Sequence, residues 1–117
     1  MAAVPLNRFK SIRKKLTPTL TGVYTCPIGV SAIITLCNAT NVSSGAASST
    51  YTITGIHSRT DTGGFKFAYE EVIPSNDTLN LFPDGRLAME TNDVLYFSSN
   101  GTNQIDLIIS VLETAKQ

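Results

Sequence analysis

From residue 20 onward the chain repeats one arrangement: a short run of β-branched or aromatic residues, then a cluster of Gly, Pro, Asn, Asp or Ser. Runs of this kind separated by turn formers predict strands. The first clear run covers residues 21–26 and is closed by Pro27, Ile28 and Gly29, where Pro fixes φ and Gly permits a positive φ in a tight reversal. The chain is then expected to return as the hairpin partner over residues 31–42. Ile33, Thr35, Cys37 and Ala39 would share one face of that strand, and Ala32, Ile34, Leu36 and Asn38 the other. Both faces are apolar near its start, which places it centrally in a sheet.

Residues 43–48 are small and polar and read as an exposed loop. Tyr51, Ile53 and Gly55 then alternate with threonines, predicting a strand with one wet face. Residues 58–64 form a second loop. Phe65, Phe67 and Tyr69 alternate with polar residues and should point together until Pro74 ends the strand. Two short strands follow over 78–82 and 86–89, separated by the turn composition Pro83, Asp84, Gly85. Residues 94–98 make the next strand, and Asn100-Gly101 is the strongest short-range hairpin signal present, with residues 104–112 as its partner. On that last strand Ile105, Leu107, Ile109 and Val111 define an inward face. Ile108 and Leu112 are surplus apolar residues outside it and suggest a second covered face.

Residues 8–16 are ambiguous: Phe9, Ile12 and Leu16 fit helical spacing, while Ile12 and Leu16 also fit one strand face. A helix this short is marginal in water, so an edge strand or extended arm is expected. The fold expected is all-β, a single antiparallel β-sandwich of jelly-roll type with eight or nine strands. Residues 1–19 would be a basic arm or edge strand, and 20–117 the sandwich domain.

Charge sharpens this picture. The 117-residue chain has 9 basic and 9 acidic residues, so its formal net charge is zero. Yet Arg8, Lys10, Arg13, Lys14 and Lys15 all precede the first acid, Asp61. A basic front and acidic back suit an arm that reaches onto something acidic, including a neighbouring copy of the same chain. No apolar run approaches the roughly 20 residues of a membrane span, and the N-terminus enters basic residues without a signal-type stretch. Membrane insertion is therefore not expected.

Little here resembles reaction chemistry. In the expected hairpin, Cys26 would face about Ser31 and Cys37 about Leu20. That separation is roughly 20 Å, against a Cα limit for a disulfide of about 7 Å, so both thiols read as buried small apolar residues. His57 is the lone histidine, with no cysteine at a metal-ligand spacing, and no Gly-x-Ser-x-Gly turn marks a nucleophile. Asp61, Asp84 and Asp93 occupy turns, where such side chains cap backbone amides. No catalytic residue, cofactor or metal is expected. The basic residues alone would give salt-dependent phosphate binding, but no aromatic stacking platform accompanies them, so nucleic acid is disfavoured.

The order of motifs resembles small virion structural proteins of tailed bacteriophages, particularly contractile-tailed phages of cyanobacteria. The resemblance is carried by Arg8-Phe9-Lys10, by Val23-Tyr24-Thr25-Cys26-Pro27, and by Asn38-Ala39-Thr40-Asn41 before a small-residue loop. It continues in Ile73-Pro74-Ser75-Asn76-Asp77, in Gly85-Arg86-Leu87-Ala88-Met89-Glu90 followed by Asp93, and in Ile108-Ile109-Ser110-Val111-Leu112-Glu113. Asn92 stands where a Gly is common, a mild change because Asn tolerates left-handed φ. The loop 58–64 is insertion-like.

The resemblance implies a non-enzymatic virion component, assembled in the host cytoplasm and acting with other virion proteins, and the surplus apolar residues Ile108 and Leu112 favour association with copies of itself as a trimer or ring. Capsid decoration or a fibre-like accessory is the expected place, with a tail, neck or baseplate component as the alternative. A third reading is a module binding host surface glycan through the loop 58–64. The expected partner-binding residues are Arg8, Phe9, Lys10, Ile12, Arg13, Lys14 and Lys15, and the expected loop contacts are Arg59 and Asp61.

Overall fold

In the computed structural model, residues 7–43, 50–83 and 85–115 are described; the readings that involve residues 44–48 and Asp84 fall wholly or partly outside them. Nine strands form within these residues: β1 (Asn7–Lys15), β2 (Thr21–Thr25), β3 (Val30–Asn41), β4 (Tyr51–Arg59), β5 (Gly63–Ile73), β6 (Thr78–Asn80), β7 (Leu87–Met89), β8 (Val94–Ser99) and β9 (Ile105–Ala115). They make two antiparallel sheets. One has the order β1-β9-β3-β6 with β7 also on β3, and the other the order β2-β8-β4-β5.

β6 pairs with β3 at Asn38–Thr40 and β7 pairs with it at Ala32–Ile34, so the two occupy one interrupted strand position. Eight positions in two four-position sheets, with most connections crossing between them, make a jelly roll. The all-β sandwich expected from the pattern is what the chain adopts.

Two expected hairpins do not form. β2 and β3 lie in different sheets, because the turn at residues 27–29 carries the chain across the sandwich. The local chemistry of that turn is as expected, with Gly29 at φ 79° and the Val30 N–H donating to the Pro27 carbonyl at 3.3 Å. β8 and β9 are likewise in different sheets. A two-residue Asn-Gly hairpin needs positive φ at both residues, but here the left-handed residue is Asn103, at φ 60°. The end of β8 is instead tied to the β1–β2 connection: the Ser99 N–H donates to the Thr17 carbonyl and the Asn103 N–H to the Leu16 carbonyl. Gly101 is buried with the Tyr51 ring where its Cβ would stand. The loop expected at 58–64 contracts to residues 60–62, since β4 and β5 pair as far as Arg59 opposite Gly63.

β3 is central, as expected, but its faces are not the predicted ones. A bulge between Ile34 and Leu36 shifts the register against β9 and reverses the alternation. Ala32 and Ile34 point inward before it, Cys37, Ala39 and Asn41 after it, and Ile33 lies outside. Bulges on β5 similarly separate Phe65, Phe67 and Tyr69. Phe67 packs with Phe97, ring centroids 5.6 Å apart, while Phe65 and Tyr69 are 67% and 61% exposed.

The core joins Leu16 to Tyr24 and Cys26 of β2 and its connection, Ala32, Ile34, Cys37 and Ala39 of β3, Ile53 of β4, Leu95 and Phe97 of β8, and the β9 row Ile105, Leu107, Ile109 and Val111. That row is the inward face predicted for β9. Cys26 and Cys37 are fully buried, Cys26 just past the end of β2 and Cys37 on β3 in the other sheet, rather than on one hairpin. Asn92, at φ 71°, adopts the left-handed conformation its residue type tolerates.

Candidate functional site

The basic segment forms the edge strand β1, paired along its whole length with β9 from Asn7 opposite Thr114 to Lys15 opposite Asp106. Ile12 stands opposite the buried Ile109, so Arg8, Lys10 and Lys14 share its inward side, while Phe9, Ser11, Arg13 and Lys15 share the outer face. The seven expected contact residues therefore lie on one strand but on two sides of it. Ile12 packs against the core and leaves the exposed set.

On the outer face Phe9, 79% exposed, stands opposite Leu112, which stands opposite Ile33. Ile108, opposite Arg13, extends this apolar row along β9. The second covered face suggested for Ile108 and Leu112 is an exposed and half-buried surface in the single chain. The Lys15 ammonium pairs with Asp106 at 2.8 Å. Arg8, Lys10, Arg13 and Lys14 enter no ion pair among the described residues. The Lys10 Nζ stands 5.9 Å from the Tyr24 ring centroid, a cation–π contact linking β1 to the neighbouring edge strand β2.

The loop residues belong to a second arrangement centred on Asp93, which is 2% exposed. Its Oδ2 accepts the Glu90 N–H at 2.9 Å, bonds His57 Nε2 at 2.8 Å and accepts Arg59 Nε at 3.0 Å. A terminal nitrogen of the Arg59 guanidinium also reaches the Glu90 carboxylate at 2.9 Å. Burial pushes the Asp93 carboxyl up, but the Glu90 amide, His57 and Arg59 together outweigh it and hold the carboxyl below its ordinary range. The hydrogen bond to Asp93, with the nearby charges of Asp93, Glu90 and Asp61, raises the Arg59 guanidinium in turn.

This network fastens the end of β4 to the turn between β7 and β8. Arg59 and Asp61 line the same shallow recess, with Thr60, Thr62 and the turn residues 90–93. The pattern of the sequence singled out Arg59 and Asp61 but missed the network itself: Asp93, which bonds both Arg59 and His57, and Glu90, which pairs with Arg59. The available signal was the capping role expected of Asp93, which its bond to the Glu90 amide fulfils. The arrangement holds two segments together. Among the described residues no hydroxyl or thiol hydrogen-bonds to His57, and no group of His, Cys, Asp and Glu is placed to hold a metal ion.

No family model matches the chain, and no curated protein matches it in sequence. Its fold is similar to solved structures of assembled particles. One is from the acid-stable capsid of Helicobacter pylori bacteriophage KHP30, with TM-score 0.57 and 12% identity over 97% of this chain and 90% of that one. Another is from the disulfide-linked pili of Bacillus endospore appendages, with TM-score 0.53 and 11% identity over 96% of this chain and 88% of that one. At these identities the likeness is one of fold.

Proposed function

We propose that this chain is a non-enzymatic structural subunit of a bacteriophage particle, working by homo-oligomeric assembly and attachment to other virion proteins, as a capsid decoration or fibre-like accessory. The observation that carries the reading is the β1 edge: four cations without an ion pair among the described residues beside a phenylalanine 79% exposed, on a rigid sandwich. An isolated soluble domain gains nothing from an exposed Phe beside a free strand edge, whereas an assembling one uses both. Jelly-roll likeness to a phage capsid structure supports the reading, as does the motif resemblance to small virion proteins of contractile-tailed cyanophages. The exposed-loop reading has less to offer, because Arg59 is already engaged by Asp93 and Glu90.

The test is the protein's copy number in separately purified heads and tails of the virus that encodes it. High copy in heads is the expected result. A low symmetric copy in tails would transfer the subunit to the tail, neck or baseplate, and absence from both would overturn the virion reading. A deletion of residues 1–18 is a poor substitute, since it would remove Leu16 from the core and strip β9 of its edge partner.

A further inference from the structure

We infer that copies of this chain join head to tail, with the basic edge strand β1 of one copy seated against the acidic edge strand β5 of the next. This rests on the self-assembly proposed above and names its surfaces.

The two edges lie on opposite flanks of the sandwich. β1 and β2 are the edge strands on one flank, joined by the Lys10–Tyr24 contact. β5 is the edge strand on the other, where Phe67 meets Phe82 with ring centroids 5.1 Å apart. No described strand pairs with the outer side of either.

Their chemistry is complementary. β1 offers Arg8, Lys10, Arg13 and Lys14, with Phe9 exposed among them. β5 offers Glu70 and Glu71, flanked by Tyr69 and Val72 at 61% and 57% exposure. On a regular strand adjacent carboxylates point to opposite faces. Here the register shifts between Ile53 and Gly55, Glu70 takes φ 49°, and Tyr69, Glu70, Glu71 and Val72 are all exposed together. A non-glycine residue in left-handed backbone inside an edge strand is a conformation that the surroundings must hold in place. Around it, two carboxylates and two apolar side chains are exposed on four consecutive residues of the edge strand. The strand's own cation, Lys66, lies back along it with Nζ 5.1 Å from the Tyr69 ring centroid.

A second copy is the occupant this arrangement fits, because one chain carries both the basic edge and the edge that bears Glu70 and Glu71. The bulge interrupts regular strand addition, so side chains carry the contact: cations onto carboxylates, Phe9 beside Tyr69 and Val72. Because the two surfaces differ and face apart, the contact is heterologous and propagates to a ring or filament rather than closing as a two-fold dimer.

The experiment uses the full chain in analytical ultracentrifugation. The native protein should form species larger than its 12.6 kDa monomer at about 50 mM salt and dissociate toward about 1 M, where the screening length falls to about 3 Å. Two charge-reversed variants are compared with it, Lys10→Glu/Arg13→Glu/Lys14→Glu and Glu70→Lys/Glu71→Lys. Each alone should associate roughly tenfold or more weakly. Their equimolar mixture should regain assembly, since each then supplies the edge the other lacks, and regain by mixing also shows that both are folded. Assembly by the native chain that is indifferent to salt, or variants that assemble like native, would overturn the edge contact while leaving self-assembly standing. A mixture that stays monomeric while both variants keep their β-sheet circular dichroism would overturn it too. A native chain monomeric at every concentration would remove the self-assembly reading itself. If a variant loses its circular dichroism, the single changes Arg13→Glu and Glu71→Lys are read in the same way.

Discussion

The phenol of Tyr24 on β2 donates a 2.6 Å hydrogen bond to the carboxylate of Glu113 on β9, so a polar contact spans the two sheets within the buried layer. Both residues are nearly inaccessible, at 5% and 6% exposure. Burial first, and then the bond and charge of Glu113, push the Tyr24 hydroxyl well above its ordinary range, so it remains a donor at any practical pH. Tyr24→Phe removes the donor and leaves the carboxylate without that partner. The expected loss is about 1–3 kcal/mol, measured by urea unfolding, with Tyr24→Phe/Glu113→Gln recovering part of it. A Tyr24→Phe protein as stable as native would mean that the Glu113 carboxylate is satisfied from elsewhere.

Asp93 predicts an acid limb of stability. Its folded carboxyl lies below the ordinary value, which for an unfolded Asp is about 3.9. Its contribution is therefore fully present above that unfolded value and is lost as pH falls through the lower folded one. Unfolding free energy should fall as pH drops below about 4, and Asp93→Asn should flatten that slope. At neutral pH the same variant should cost about 1–3 kcal/mol, because His57 and Arg59 lose an ionic acceptor. An unchanged acid slope in Asp93→Asn would assign the pH dependence to other carboxylates.

Thiol chemistry should report opening of the fold. Cys37 is fully buried, and burial pushes its thiol up to about 12, so neither access nor thiolate is present in the native state at pH 8. Iodoacetamide followed by mass spectrometry should leave Cys37 unmodified in native protein and alkylate it in denaturant. Fast native alkylation would show that the core between the sheets opens readily.

Gly55 should resist substitution. A Cβ there would stand 2.6 Å from Cζ of Phe67 and 3.0 Å from an edge carbon of Phe97, inside a closely packed aromatic cluster. Gly55→Ala is expected to cost about 1–3 kcal/mol through displaced rings, read as a lowered Tm. A native Tm in Gly55→Ala would mean that the Phe67 ring swings away freely.

Much of the fold was legible residue by residue. The alternation Ile105, Leu107, Ile109, Val111 marks the inward face of β9, and the apolar character of both sides of residues 31–36 marks β3 as central. Turn chemistry was equally readable at Gly29, since a positive φ follows from residue type. The pairing of strands was not. Asn100-Gly101 carries a strong hairpin signal, yet the chain after β8 bonds to Leu16 and Thr17 and crosses to the other sheet.

The candidate site divides the same way. That Arg8 to Lys15 would be basic is written in the sequence, while its apolar spacing fits a helix as well as a strand. That these cations lie on an edge strand, opposite in the molecule to an acidic edge, follows from sheet order. Arg59 drew attention as a loop cation, but its commitment to Asp93, 34 positions along the chain, arises only in the folded chain.

That this protein is built of strands, which of their residues are apolar enough to be inside, and where its charge is concentrated can all be read along the chain, because these depend on residue type and a local period of two. Tertiary structure decided which strand pairs with which, where bulges on β3 and β5 reverse that period, and which charges meet. Backbone hydrogen bonding in a sheet is indifferent to side-chain identity, so partner choice emerges only when all the apolar faces are closed on one another at once.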